Sequence, residues 1–338
     1  MRPAGDADYS SPSRSAWRPI GVHVLSEHVF CPRAALLAYE SGPDSGDEEP
    51  QLGPILTIYT DYDERGFAEG IHEQWGAMRL WLTLMAPAIL VVLLAWYFIF
   101  PLVAVVLSLP VLLLTVKCWE SLLAIIRLVR ERAIYRAAPV IEIDLAPTEV
   151  KRLNWWSLRK AGFDCIKLVD ALGLRQGELT GKPWRTLQKG NTIGIPVIRR
   201  RRGNRDWGPQ HEVRLAMYCR LIEQYEKRAA PFGVILFAGT HDCVIIPNSS
   251  DRQMRAELAL EEVREFMEIQ ERGTHTPNPP TDHRCAGCPH GFPHLIQRAK
   301  NKSEQDEFES LCGKRFGWNP PHRDAIALGI AREHNRTV

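Results

Sequence analysis

The sequence predicts an α/β domain, a mixed central sheet flanked by helices, interrupted by an inserted two-helix transmembrane hairpin. Two observations carry this reading. Residues 80–116 run for 37 positions without a single charge. Beyond residue 140, short strand-like runs are mixed with longer helical patterns. The remainder has the composition of a soluble protein: 24% of residues are charged and the net charge is +2, which offers no global argument for a nucleic-acid partner.

Taken in order, residues 1–19 are polar and rich in Ser and Pro, which predicts a disordered lead-in without a secretory signal and places the domain in a reducing compartment. The eight cysteines then read as core residues or metal ligands rather than disulfides. Ile20–Tyr39 has the apolar spacing of a helix, and Ser41–Gln51 is an acidic loop. The uncharged run would make one helix of about 56 Å, nearly twice the roughly 30 Å hydrocarbon core, so two spans are predicted, at about Leu80–Phe100 and Pro101–Trp119. Pro101, behind Trp96, Tyr97 and Phe98, marks the tight turn. Arg79 and Lys117 flank the hairpin, and Arg127, Arg130, Arg132 and Arg136 follow. By the positive-inside rule both ends, and both termini, belong on the cytoplasmic side of the inner membrane. The competing reading is a buried helical pair in a soluble core.

Residues 120–139 predict a basic amphipathic helix suited to the membrane surface. Strands are then expected at Cys165–Val169, Thr192–Ile198, Phe232–Phe237 and Cys243–Ile246, and helices over His211–Arg228 and Asp251–Arg272. Residues 20–78 and 140–298 thus form one domain, with the hairpin (79–119) inserted and 299–338 as a polar tail. His241 and Asp242 fall in a loop between two strands and have no nucleophile beside them. Trp155 and Trp156 follow Lys151 and Arg152, which favours a membrane-interface role over base stacking, whereas Trp184 and Trp207 remain candidates for stacking.

Two motifs carry chemistry. Cys31 sits in a Cys-Pro-Arg sequence, and Cys285 and Cys288 form RCAGCPHGFPH, a turn that aims two thiolates at one metal or cluster. His290 and His294 lie beside this pair, and Cys312 lies further on. The bland alternatives are a zinc-stapled turn or free cysteines. The second motif is Arg199–Arg202, either a solvated strand end or a phosphate-binding strand.

Together these segments resemble the CRISPR-associated exonucleases of the Cas-four type, within the RecB-like PD-(D/E)XK nucleases. The resemblance implies a 4Fe-4S cluster held by Cys31, Cys285 and Cys288, with His294 at the place of the family's fourth cysteine; a Cys3His zinc site is the alternative. His72, in GIHEQ, falls on the family's amino-terminal His. The segment GELTGKPWRTLQKGNTIGIPVIRRRRG resembles its core hairpin, and HEVRLAMYCRLIE its Q-L-x-x-Y helix. Magnesium- or manganese-dependent cleavage needs an Asp and a Glu to hold the ion and a Lys at the attacking water. Here Trp184, Ile198 and Arg200 occupy those three positions, Arg214 replaces the Gln, and Tyr218 is retained. The expectation is a membrane-anchored pseudonuclease that binds nucleic acid, in the family DNA, through Arg185, Arg199, Arg200 and Arg214. An active exonuclease, with a migrated carboxylate at Asp170, Glu178 or Glu212, and a membrane scaffold for another protein are the alternatives.

Overall fold

The computed structural model describes residues 19–42, 61–98, 101–173, 179–200, 207–237, 240–271, 277 and 311–316. It is a mixed α/β structure that divides into two compact units: Met1–Leu52, Asp144–Arg152 and Ile166–Val338 in the first, Gly53–Ile143 and Leu153–Cys165 in the second.

In the first unit β1 (Ile20–Gly21) leads into α1 (Val22–Phe30) and α2 (Pro32–Glu40). The single helix expected over Ile20–Tyr39 is therefore two. Cys31 is extended, at φ −164 and ψ 122, because Pro32 drives its predecessor out of the helical region and then starts α2 at a position where no N–H is needed. The main sheet is built on β6 (Arg185–Lys189), β7 (Ile193–Arg200), β8 (Phe232–Phe237) and β9 (Asp242–Pro247). β6 and β7 form a hairpin, β7 and β8 run parallel, and β9 returns antiparallel to β8. The crossover between the parallel strands is α6 (Pro209–Leu221), as a parallel pair requires. A short π turn, Ile222–Glu226, ends it at Lys227, whose φ is 58, and Pro231 prevents resumption. The full strand order is β2-β9-β8-β7-β6-β3, with β2 (Lys151–Asn154) and β3 (Asp164–Ile166) at the edges. β3 covers only part of the strand expected at Cys165–Val169. Two minor strands complete a second sheet: β5 (Leu179–Gly181) lies between β1, parallel to it, and β4 (Leu172–Gly173), antiparallel.

The core of this unit lies where α6 packs on β7, β8, α1 and α7 (Ser250–Glu271). Val24, Leu25, Ile198, Leu215, Tyr218, Ile235, Ile246 and Val263 share it, all nearly inaccessible. Gly233 permits this approach: a Cβ there would lie 2.7 Å from the Leu215 side chain. His241 stands at φ 58 in the β8–β9 turn, as expected of a loop.

The second unit is a helical hairpin. α3 (Glu64–Phe98) and α4 (Pro101–Ala137) have 35 and 37 residues, hence lengths of about 52 and 56 Å. Both are long and apolar enough to cross a membrane. Leu90, Val91, Leu93, Val105, Leu109 and Leu113 are exposed along their middles, the pattern of lipid-facing helices rather than of a buried pair. They pack antiparallel: Thr115 Oγ1 meets Met85 Sδ at 3.7 Å, a Cβ on Gly70 would touch Leu128, and Glu64 accepts from Arg132 at 2.6 Å and also from Arg136. The amphipathic stretch expected as a separate surface helix is a direct continuation of α4, because residues 111–137 contain neither Gly nor Pro to break it. At the open end, Trp155 and Trp156 head the short α5 (Trp155–Lys160). They are not interface anchors. Both are 0% exposed, and Trp156 stacks edge-on against Phe67 (5.6 Å) and Tyr135 (5.5 Å).

Candidate functional site

The β6–β7 hairpin positions the residues that the sequence resemblance singled out. Its turn uses Gly190 at φ +60, and its register pairs Arg185 with Val197 and Leu187 with Ile195. Alternation along β7 then sends Arg199 and Arg200 to opposite faces. On one face the Trp184 ring lies beside two guanidinium groups, Arg185 at 4.7 Å and Arg199 at 5.3 Å. Arg185 also donates to the Trp184 carbonyl at 3.0 Å. Both cations thus lie within cation–π distance of one indole beside the strand.

On the other face Ile198 is 2% exposed in the core, and Arg200 leads to α6. His211, Arg214 and Tyr218 follow one another along one side of that helix at helical spacing. Burial, and then the Arg200 charge, hold His211 down at about 4. Its Nδ1 accepts the Gly208 N–H at 3.1 Å, closing the first turn of α6. Arg214 faces α1. Burial and Arg214 together hold His23 at about 4, while burial raises Glu27 against the opposing pull of Arg214. Tyr218 donates to the Lys182 carbonyl at 3.3 Å, and Gly181 admits it closely, since a Cβ there would stand 2.8 Å from the ring. The hairpin thus brings Arg185, Arg199 and Trp184 together, and α6 gathers Arg200, His211, Arg214 and Tyr218 on the opposite face. His72 is exposed on α3, in the second unit.

The carboxylates considered as migrated ligands do not converge. Glu212 is bound to Arg252 at 3.1 Å and to the Trp207 indole at 3.3 Å, Asp170 is exposed in a loop, and Glu178 is outside the described residues. Among the described residues no group of three or more His, Cys, Asp and Glu side chains could hold a metal. Trp184, Ile198, Arg200 and Arg214 do not fit magnesium or manganese, which require oxygen ligands and negative charge.

The thiol motif has a different outcome. Cys285, Cys288 and His294 lie outside the described residues. Cys31 is buried where α1 gives way to α2, and α8 (Leu311–Phe316) packs on α2. Arg315 pairs with Glu40 at 3.0 Å, and Arg33 lies 4.9 Å from the Phe316 ring. Arg33 also donates to the Pro277 carbonyl at 2.7 Å. Cys312 is buried at this contact. Burial raises its thiol pKa, a hydrogen bond with Arg33 opposes the rise, and the charge of nearby Cys31 adds to it. This corner brings two buried thiols near the Arg33 guanidinium, which by themselves are too few to hold a metal. Sequence reading puts His294 first as the fourth ligand and keeps His290 and Cys312 as alternatives. The signal that pointed to Cys312 is Arg315 and Phe316 one turn later, the charge and ring that seat α8 on α2.

No family model matches this chain, and no curated protein matches it.

Proposed function

We propose that this protein is a membrane-anchored RecB-like PD-(D/E)XK domain of the Cas-four type that binds nucleic acid at the cytoplasmic membrane face without cleaving it. The observation that carries the reading is the β6–β7 hairpin followed by α6 and the parallel β8, on which the motif positions hold Trp184, Ile198, Arg200, Arg214 and Tyr218. Where a nuclease gathers carboxylates, this strand pair and helix present guanidinium groups and an indole, which suit phosphate oxygens and bases and repel a divalent cation. Arg185 and Arg199 clamp Trp184, and Arg200 and Arg214 charge the facing helix. A thiolate-held 4Fe-4S cluster or zinc ion would tie the amino-terminal helices to the carboxyl-terminal segment and so maintain the fold, not the chemistry. α3 and α4 would cross the inner membrane as a hairpin, with both termini in the cytoplasm beside Arg79, Lys117, Arg127 and Arg130.

The test is a binding isotherm for single- and double-stranded DNA at several salt concentrations, run with and without magnesium and manganese. Affinity should fall steeply with salt, because phosphate contacts release counterions, and no nucleotide should be released. Metal-dependent cleavage would establish the active exonuclease instead. Absence of any nucleic-acid binding would leave the scaffold.

A further inference from the structure

We propose that α4 carries a second packing seam, on which a second copy of this chain docks through a parallel pair of α4 helices. The inference goes beyond the proposed function and shares with it only the membrane hairpin. α4 meets α3 along positions that recur every three and four residues: Ser121, Ile125 and Leu128 are buried, and Arg132 and Tyr135 continue the row through Glu64 and Phe67. One residue further round, about 100° on a helix, a second row keeps the same spacing. Outside the bilayer it reads Trp119, Leu122, Ile126, Val129 and Ala133, and Trp119, Ile126 and Val129 are 59%, 53% and 51% exposed. Within the bilayer it reads Val105, Ser108, Leu112 and Thr115, all exposed.

Lipid does not account for the outer part of this row. The exposed Lys117–Glu120 pair, 2.8 Å apart, marks the end of the apolar span, and Trp119 sits at that level. Ile126 and Val129 then stand about 10 and 15 Å past Trp119, whereas headgroups extend the hydrocarbon core by only about 5–8 Å on a side. An apolar stripe in water calls for a protein surface, and the choice of residues selects which. Apolar positions every 3.5 residues form the seam of a coiled coil, and β-branched Ile126 at an a position with Leu122 at a d position favours two parallel strands. Two copies inserted in one membrane share an orientation, so their α4 helices run parallel, and a two-fold axis puts the same patch on both sides. In the bilayer the small Ser108 and Thr115 permit close approach, their hydroxyls already donating to the Val105 and Val111 carbonyls at 2.6 and 2.8 Å. The row is about 42 Å long and, with its neighbours on either side, offers about 18 residues a copy, close to the roughly 20–30 of a stable interface.

The experiment is oxidative crosslinking of the full chain in native membranes, with one cysteine at a time introduced into a Cys118→Ser parent. Leu122→Cys, Ile126→Cys and Val129→Cys should form disulfide-linked dimers, whereas Ala124→Cys and Arg127→Cys, on other sides of the same turns, should give no more than the parent. Equal crosslinking at all five positions, or none above the parent, would overturn the seam. A crosslinked product of any mass other than two chains would assign the stripe to a different partner and overturn it too. Adding Ile126→Lys to the Leu122→Cys protein should cut the dimer about tenfold or more, because a buried lysine forfeits its hydration, while the chain stays in the carbonate-resistant fraction. Ile126→Ala with Val129→Ala gives the same reading without a charge where the lysine variant does not accumulate. An undiminished dimer in a variant that the membrane retains would refute the assignment. A wild type extracted by carbonate would overturn the membrane hairpin and the seam with it, and the DNA isotherm tests the nucleic-acid reading separately.

Discussion

Acidification should loosen the packing of α1 on α6 by an amount set by two histidines. His23 and His211 are both held at about 4, against an ordinary value of 6.5, first by burial and then by Arg214 and Arg200 respectively. Between pH 6.5 and 4 the unfolded chain takes up these protons and the folded chain does not, so stability rises with pH through that window. The contribution is fully present above pH 6.5 and is lost as pH falls through 4. From pH 7 to pH 5, a pKa displaced this far removes about 2 kcal/mol per histidine, or about 4 kcal/mol for the pair. That is a large fraction of the roughly 5–15 kcal/mol that holds a domain together. Glu27 acts in the opposite sense: its raised pKa contributes stability below the ordinary carboxylate value, lost as pH climbs through the folded one. The assay is urea unfolding of the detergent-purified protein by circular dichroism at pH 7, 6 and 5, for the wild type and for His23→Gln with His211→Gln. Glutamine can still accept the Gly208 N–H and cannot charge. The double variant should flatten the pH dependence, and Glu27→Gln should steepen it. An undiminished slope in the double variant would refute the assignment of the acid loss to these two side chains.

Replacing Arg199 and Arg200 together by Ala should weaken DNA binding by about 1–3 kcal/mol where both contact phosphate, measured by fluorescence anisotropy at fixed salt. The single variants separate the two faces of β7, and equal binding by all three would remove this strand from the interface. Leu90→Arg places a charge in the exposed middle of α3 and should cost about 2.5–3.5 kcal/mol of insertion, read as a shift from the carbonate-resistant membrane fraction to the soluble or degraded one. Trp156→Ala empties the space between Phe67 and Tyr135 and should destabilise the open end of the hairpin by about 3–5 kcal/mol, seen as a lowered thermal midpoint.

The hairpin was legible because a charge-free run is a property of one segment and needs no partner to interpret it. Strands β7, β8 and β9 were legible for the same reason: each is apolar through most of its length. Trp155 and Trp156 were misread because the neighbouring Lys151 and Arg152 are local, whereas Phe67 and Tyr135, which bury the second indole, are distant in sequence. The break at Cys31 was written in Pro32 but masked by apolar periodicity that continues across it. That Cys312 lies near Cys31 was not legible because it depends on α8 docking on α2, which spacing along the chain does not encode.

If the chain has the proposed nuclease ancestry, the two faces of β7 explain why one change would not restore a catalytic motif. Ile198 is 2% exposed in a cluster with Ile235, Phe237 and Tyr218, so a Glu placed there exchanges apolar packing for a carboxylate in a water-poor site. Its charge would have to be offset by Arg200, on the same face of the strand, or by Arg214 on α6, and either guanidinium would then occupy the carboxylate that a metal requires. Trp184 is held on the other side by Arg185 and Arg199, so an Asp there would meet two cations before it met magnesium. On the proposed family reading the substitutions would support one another: each arginine would make a metal-binding carboxylate less available to an ion. On the proposed reading such a strand would favour anions over cations, and the DNA-binding isotherm with the Arg199→Ala and Arg200→Ala variants decides whether that anion is a phosphate backbone.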